Sequence, residues 1–413
     1  MKNIKKILIY LNVLILSIIM FGCMNDMQHQ GNWASPSMSN EVMIVPSNEG
    51  VLLKYSIAQN SFDLISKFPS SDSKIGSFYG NIEIIDSVAF GISYGSDEGD
   101  KCQNKSCISY LFALDVNSLN SVWATEFIQI DGSVVGGIKY SDEKLYFATT
   151  ENDSFNEKGG FFYSVNSNNG DIIFKIPISS RVYNSIGINP QENIAIVGDA
   201  KGNITLYDTD TKDMDNSDRK IFSIETNYSI ISPPVQLSGP NSETNYCVGN
   251  INGEIKCYEL IKNNSYSLVE WASLKFDGWI WSDIEVYNDS LFLITLSGNF
   301  YKVDVDKETR SMNIVWEQNI DKNGKPLSGL MIYERGNVAN SIIPFDKDKL
   351  VVVELSNGSI TDELPFKDGV QSLPVMKNDY IYFVDKENKF RSYSLIDRSQ
   401  KLCFDLKEMK GCD

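Results

Sequence analysis

One short pattern recurs along this chain and limits its fold more than any other feature. In residues 163–174, YSVNSNNGDIIF, an apolar stretch runs into a polar turn and out into a second apolar run that ends on an aromatic ring. FALDVNSLNSVW (112–123) matches it position for position. LKYSIAQNSFDL (53–64), TLYDTDTK (205–212), KCYEL (256–260), YKVDVDKET (301–309), VVVELSNGSI (351–360) and RSYSLIDRSQKL (391–402) follow with less fidelity. The polar residue closing the first stretch falls at Ser56, Asp115, Asn166, Asp208, Glu259, Asp304, Glu354 and Ser394, at intervals of 59, 51, 42, 51, 45, 50 and 40 residues. Spacing of that order marks repeat architectures with about four short strands per unit.

Upstream of each anchor lies another apolar run: EVMIVPS, DSVAFGIS, EKLYFATT, ENIAIVGD, NYCVGN, DSLFLITL, NSIIPF and DYIYFVD. Period-two alternation over such lengths, rich in β-branched and aromatic side chains, reads as half-buried strands. Turn formers separate the two runs at Lys201-Gly202, Asn252-Gly253 and Ser297-Gly298, and Asn357-Gly358 sits in the next turn along. No amphipathic helix is legible after residue 30, so the predicted fold class is all-β. A linear stack of so many antiparallel sheets leaves exposed edges, whereas a ring leaves only short protected ones. The expected architecture is a β-propeller, most economically eight blades of four antiparallel strands, with seven blades as the alternative. Trp123, Phe174, Phe222, Trp271 and Trp316, at the ends of units, are expected to fill the wedges between adjacent blades as core.

The start of the chain stands apart. MKNIKK is a cationic segment, ILIYLNVLILSIIM an apolar one, and Met20-Phe21-Gly22-Cys23 a candidate cleavage site, the order of a secretory signal peptide. This stretch resembles the bacterial lipoprotein signal: Gly22 and Cys23 match it, whereas Met20 and Phe21 depart from the usual leucine and small residue. The expected division is a signal over 1–22, a flexible tether over 23–33 starting at a lipidated Cys23, and a single propeller domain over 34–413. An ordinary signal or an uncleaved anchor is the competing reading. The other cysteines fall into three local pairs, Cys102 with Cys107, Cys247 with Cys257 and Cys403 with Cys412. Such pairs suit disulfides in an oxidising compartment, the alternative being free buried thiols. Removing residues 1–22 takes away Lys2, Lys5 and Lys6 and no acid, which moves the net charge from -17 to -20. A body this acidic is repelled by nucleic-acid phosphates and anionic headgroups, so no nucleic-acid partner is expected and membrane association falls to acyl chains.

FALDVNSLNSVW and YSVNSNNGDIIF also follow a known order: aromatic, small, aliphatic, Asp, two residues, Thr or Ser, Gly, two residues, apolar, Trp. That order resembles the repeat of the pyrroloquinoline quinone (PQQ) β-propeller superfamily, with Leu119 at the glycine of the first copy and Phe174 at the tryptophan of the second. The resemblance spans about residues 34–410, clear in three units and degenerate in the others. An exported lipoprotein with eight such repeats is also similar to the lipoprotein propellers of the β-barrel assembly machine, which are non-enzymatic scaffolds of the outer membrane. That likeness rests on architecture, size and signal.

The quinoprotein dehydrogenases of the superfamily imply a ring disulfide between adjacent cysteines, a Ca²⁺ held by carboxylate and amide oxygens, and an Asp base. No two cysteines are adjacent here. The single histidine, His29, lies in the tether, which removes Ser-His-Asp, Cys-His and histidine-zinc chemistry. The densest acidic run, DTDTKDMDNSD (208–218), offers Asp208, Asp210, Asp213, Asp215 and Asp218. It lacks the ordered alternation and Gly of an EF-hand loop and reads as a solvated turn, as does GSDEGDK at 95–101. No catalytic residue, metal or cofactor is assigned.

Propellers engage partners through the loops at one mouth of the ring, where blade-to-blade connectors converge. The connectors KIPISSRVY (175–183), IETNYSIIS (224–232) and KFDGWIWSD (275–283) carry Arg181, Tyr183, Tyr228, Trp279 and Trp281, residue types that dominate interface energetics. Trp279 and Trp281, two apart, face the same way in a strand. The alternative is that the two tryptophans pack between blades and Arg181 pairs with a carboxylate. The function expected is a monomeric, lipid-anchored, non-catalytic scaffold binding protein partners at the cell envelope, with outer-membrane protein assembly as the setting the resemblance implies. It would lie on the periplasmic face of an outer membrane, or on the cell surface of a single-membrane host. The rivals are a quinoprotein-like oxidoreductase with a degenerate PQQ site and a surface module for carbohydrate or another small ligand.

Overall fold

The alternating runs form strands, and each successive group of four closes into one antiparallel sheet. The computed structural model describes residues 34–70, 75–94, 108–150, 159–210, 216–237, 244–321, 323–370 and 372–412. Among them, eight sheets follow in chain order over 37–68, 83–131, 139–177, 187–225, 235–275, 285–319, 331–365 and 375–411, here blades 1 to 8. Each blade is a meander whose strands a to d, from the axis outward, pair only with their chain neighbours; blade 8 adds a short fifth strand, Lys410–Gly411. The all-β propeller is thus eight-bladed rather than seven-bladed. Cys23, His29, Cys102, Cys107, Asp213 and Asp215 lie outside the described residues.

The apolar core sits between sheets. Eight buried clusters each join two neighbouring blades. The last of them closes the ring, packing Met43, Val45, Leu53 and Tyr55 of blade 1 on Tyr382, Val384, Phe390 and Leu406 of blade 8. Polar contacts accompany it: Asn388 Nδ2 donates to Ser47 Oγ at 3.2 Å, and Asn388 Oδ1 accepts from the Asn48 amide at 3.1 Å. The ring closes without exchanging a strand between its ends.

Two local devices repeat and explain the polar punctuation of the sequence. At the turn from strand b to strand c, a side-chain oxygen accepts two backbone amides. Asp199 takes those of Lys201 and Asn203, Asn250 those of Asn252 and Glu254, and Asp385 those of Glu387 and Lys389. Such bonds close an Asx turn, and the chain leaves it in the left-handed region, at Gly202 (φ 88°), Gly253 (φ 74°) and Asn388 (φ 59°). In all blades but blade 2, the register between strands c and d shifts by a bulge.

The predicted wedge residues do join blades. Trp123 of blade 2 lies in the cluster shared with blade 3, and its Nε1 donates to the Ser167 carbonyl at 2.9 Å. Its ring rests where Gly170 of blade 3 has no side chain: a Cβ there would come within 3.1 Å of the indole. Trp316 of blade 6 repeats the arrangement on Gly358 of blade 7, donating to the Leu355 carbonyl at 3.3 Å. Phe174 and Phe222 occupy the same register position as Trp316, opposite Ser164 and Leu206. Trp271 does not, because it is the bulged residue between Glu270 and Ala272; it still packs on the cluster shared with blade 6.

Cys247 and Cys257 face each other across strands b and c of blade 5, fully buried, with sulfurs at bonding distance (1.97 Å). Cys403 and Cys412 are likewise bonded, fastening the fifth strand of blade 8 to strand d.

Candidate functional site

In a four-stranded meander the b–c turns and the d-to-a connectors lie at the same end of every sheet, so they share one face of the ring. All five residues predicted to bind a partner fall on that face. Backbone bonds fix their register. The carbonyls of Ser77, Arg181, Ser229 and Trp279 accept from the amides of Tyr94, Ala200, Ile251 and Leu296 at 2.8–3.0 Å, tying each connector to the b–c turn of one blade. Arg181 and Trp279 are therefore equivalent, and Tyr79, Tyr183 and Trp281 are equivalent two places on. Tyr228 stands one place earlier than Ser229 and matches none of these.

Trp279 and Trp281 do not lie in a strand. They flank Ile280, fully buried, which makes a single bridge to Thr295. This extended backbone preserves the alternation expected of a strand: Trp279 is 45% exposed and Trp281 half-buried, on either side of the inward Ile280. Tyr228 is 44% exposed. These exposures place Trp279 and Tyr228 outside the core, so of the two tryptophans only the half-buried Trp281 fits the alternative of packing between blades.

Arg181 and Tyr183 belong to a cluster that sequence reasoning did not assemble. The Tyr79 and Tyr94 rings meet edge to face at 4.8 Å, from the blade 1–2 connector and the b–c segment of blade 2. Burial raises the pKa of the Tyr94 phenol, the nearby Tyr183 phenol adds to the rise, and Ser133 and the Arg181 guanidinium oppose it. Arg181 Nη1 in turn lies 3.5 Å from the Tyr183 hydroxyl. Three phenols and a guanidinium thus converge from two connectors and one turn. The arrangement offers ring faces for stacking, a Tyr94 hydroxyl kept protonated by burial, and a cation on an otherwise acidic chain. Tyr79 was recoverable only from the register it shares with Tyr183, which becomes visible once the connectors are superposed.

The acidic run 208–218 behaves, where described, as a pinned turn. Asp208 Oδ1 accepts the Asp210 amide at 2.7 Å, and buried Arg219, its guanidinium 4.5 Å over the Phe174 ring, donates through Nη1 to the carbonyls of Asp208 and Asp210. No two cysteines of the chain are adjacent, so the ring disulfide of the quinoprotein dehydrogenases has no counterpart here. Among the described residues, no three His, Cys, Asp or Glu side chains gather as metal ligands.

No protein family matches the chain in sequence, and no curated protein does so. Its backbone is similar to solved structures. BamB from Moraxella catarrhalis superposes with a TM-score of 0.59 at 13% identity, covering 88% of this chain and 94% of that one. A computationally designed protein, Ika8, superposes at 0.60 and 9% identity, covering 89% and 98%. The quinohemoprotein alcohol dehydrogenase from Comamonas testosteroni superposes at 0.58 and 10% identity, covering 86% and 71%. At such identities the likeness shows the propeller fold.

Proposed function

We propose that this chain is an exported, lipid-anchored propeller that binds a protein partner at the cell envelope through its connector face. The observation that carries the reading is the grouping of Tyr79, Tyr94, Arg181 and Tyr183 on the same face of the ring as the exposed Trp279 and Tyr228. Arg, Tyr and Trp presented by a rigid scaffold are the usual anchors of protein interfaces. The backbone likeness to BamB, together with the resemblance of residues 20–23 to a lipoprotein signal, supports an envelope setting and outer-membrane protein assembly as the process served. Cys23 would carry the acyl chains, and the protein would act as a monomer without a cofactor.

The test is co-purification from membranes of the chain and of its Arg181→Ala, Tyr183→Ala and Trp279→Ala variants. Loss of a specific protein from the eluate, with unfolding midpoints unchanged, supports the scaffold; retention in all three overturns this face as the site. A Cys23→Ser variant should move from the membrane to the soluble fraction. The superposition on a quinohemoprotein dehydrogenase favours a second reading, a quinoprotein with a degenerate site. A bound chromophore and dye-linked alcohol oxidation after adding PQQ and Ca²⁺ would establish it in place of the first.

A further inference from the structure

Blade 8 departs from the repeat at one side chain. Strand c of each blade places one residue opposite the next-to-last residue of strand b: Leu53, Phe112, Tyr163, Thr205, Lys256, Tyr301, Val351 and Arg391. Only blade 8 sets a guanidinium there, and three neighbours hold it. Its Nε donates to Asp385 Oδ2 at 2.6 Å, its Nη1 to Gln400 Oε1 at 2.7 Å and its Nη2 to Asp368 Oδ2 at 3.2 Å. Asp385 is itself fixed: its Oδ1 takes the two turn amides, and its side chain is 1% exposed. The three partners come from the b–c turn, from strand d and from the connector out of blade 7, so the planar fork is locked from three sides.

All four of these side chains line one cavity of about 160 Å³ where blades 7 and 8 meet. That is below the roughly 300 Å³ of sites for drug-sized molecules, so its ligand is small. Arg391 spends three of its five N–H groups on the protein. Among the described residues, no hydrogen bond engages the other two, the Gln400 amide nitrogen or Asp368 Oδ1. Donors and an acceptor therefore stand next to one another with bonds still to make. Phe366 and Tyr393, whose rings meet edge to face at 5.5 Å, give the lining its apolar part. The formal charges around the cavity cancel, Lys367 and Arg391 against Asp368 and Asp385, which suits a ligand without net charge. A hydroxyl both accepts and donates, so two on adjacent carbons can bridge a guanidinium to a carboxylate. A sugar ring adds a C–H face for the aromatic side.

We propose that the cavity between blades 7 and 8 binds a neutral pyranose, two adjacent hydroxyls bridging Arg391 and Gln400 to Asp368, with a C–H face against Phe366 and Tyr393. The site is separate from the connector cluster and does not depend on the scaffold reading.

The test is saturation-transfer NMR and titration calorimetry of the full chain with the methyl glycosides of D-glucose, D-galactose and D-mannose. Tetrahydropyran-2-methanol, a ring with one hydroxyl, and propionamide, a neutral donor and acceptor without a ring, are the controls. Saturable binding of at least one glycoside, at least about tenfold tighter than either control, is expected. Arg391→Lys, which keeps a charge beside Asp385 and removes the fork, should weaken it by about tenfold or more. Asp368→Ala and Gln400→Ala, at half-exposed and exposed positions, should each weaken it by about threefold or more. The corresponding trisaccharide separates the sources: tighter binding than the single sugar marks the end of a glycan, equal or weaker binding a free sugar, and both support the site. Absence of saturable binding, controls as tight as the glycosides, or undiminished binding in Asp368→Ala and Gln400→Ala would overturn the proposal, including where Arg391→Lys fails to fold.

Discussion

The wedge between blades 2 and 3 and the wedge between blades 1 and 2 face the same packing problem with opposite residues. In the first, the segment of blade 2 that leads from strand c into strand d delivers Trp123, and the c–d turn of blade 3 receives it on Gly170. In the second, strand d of blade 1 has no tryptophan. Its bulge carries Leu64 and Ile65 outward, the latter 94% exposed. The receiving turn of blade 2 then has Leu119 where the repeat has glycine. Leu119 keeps the left-handed backbone of that position (φ 56°) and turns its own side chain into the shared core, 3% exposed. The volume a tryptophan occupies elsewhere is filled from the opposite side. A departure from the motif is here a paired substitution, and the loss of one partner is intelligible only with the other in view.

Substitutions at the two wedges can break that account. Trp123→Ala should cost most, about 3–5 kcal/mol, because a large buried ring and its hydrogen bond both go. Denaturant unfolding reads it directly. Leu119→Gly, which restores the repeat consensus, should destabilise by about 2–4 kcal/mol: cavity formation outweighs the ~1 kcal/mol or so released at a left-handed non-glycine residue. Stabilisation by Leu119→Gly would sink the compensation argument. Gly358→Ala should cost about 2 kcal/mol, since a Cβ would meet the Trp316 ring at 2.9 Å at a positive φ. Trp279→Ala should change stability least, within about 0.5 kcal/mol. A large loss there would move Trp279 from the connector face to the core.

The strands, the blade count and the wedge tryptophans were legible in the sequence because each rests on local periodicity repeated eight times. The bulge between strands c and d was not, and it displaces Trp271 by one place from Trp316, although the two align in the sequence. The partner residues were legible as types within connectors; their grouping was not, because Tyr79 and Tyr94 meet Arg181 only when three blades curve round one axis.

Every blade also places a small residue three positions before strand a: Ala34, Gly80, Gly136, Asn184, Ser232, Ser282, Ser328 and Ser372. A Cβ on Gly80 would stand 2.3 Å from the Gly136 carbonyl, and one on Gly136 2.1 Å from that of Asn184. Between blades 2, 3 and 4 the main chains touch, so the spacing of these blades at the hub is set by backbone thickness instead of by side-chain volume. A side chain at Gly80 or Gly136 would meet that main chain, which no rotamer change relieves, so either substitution must push two neighbouring blades apart at the hub.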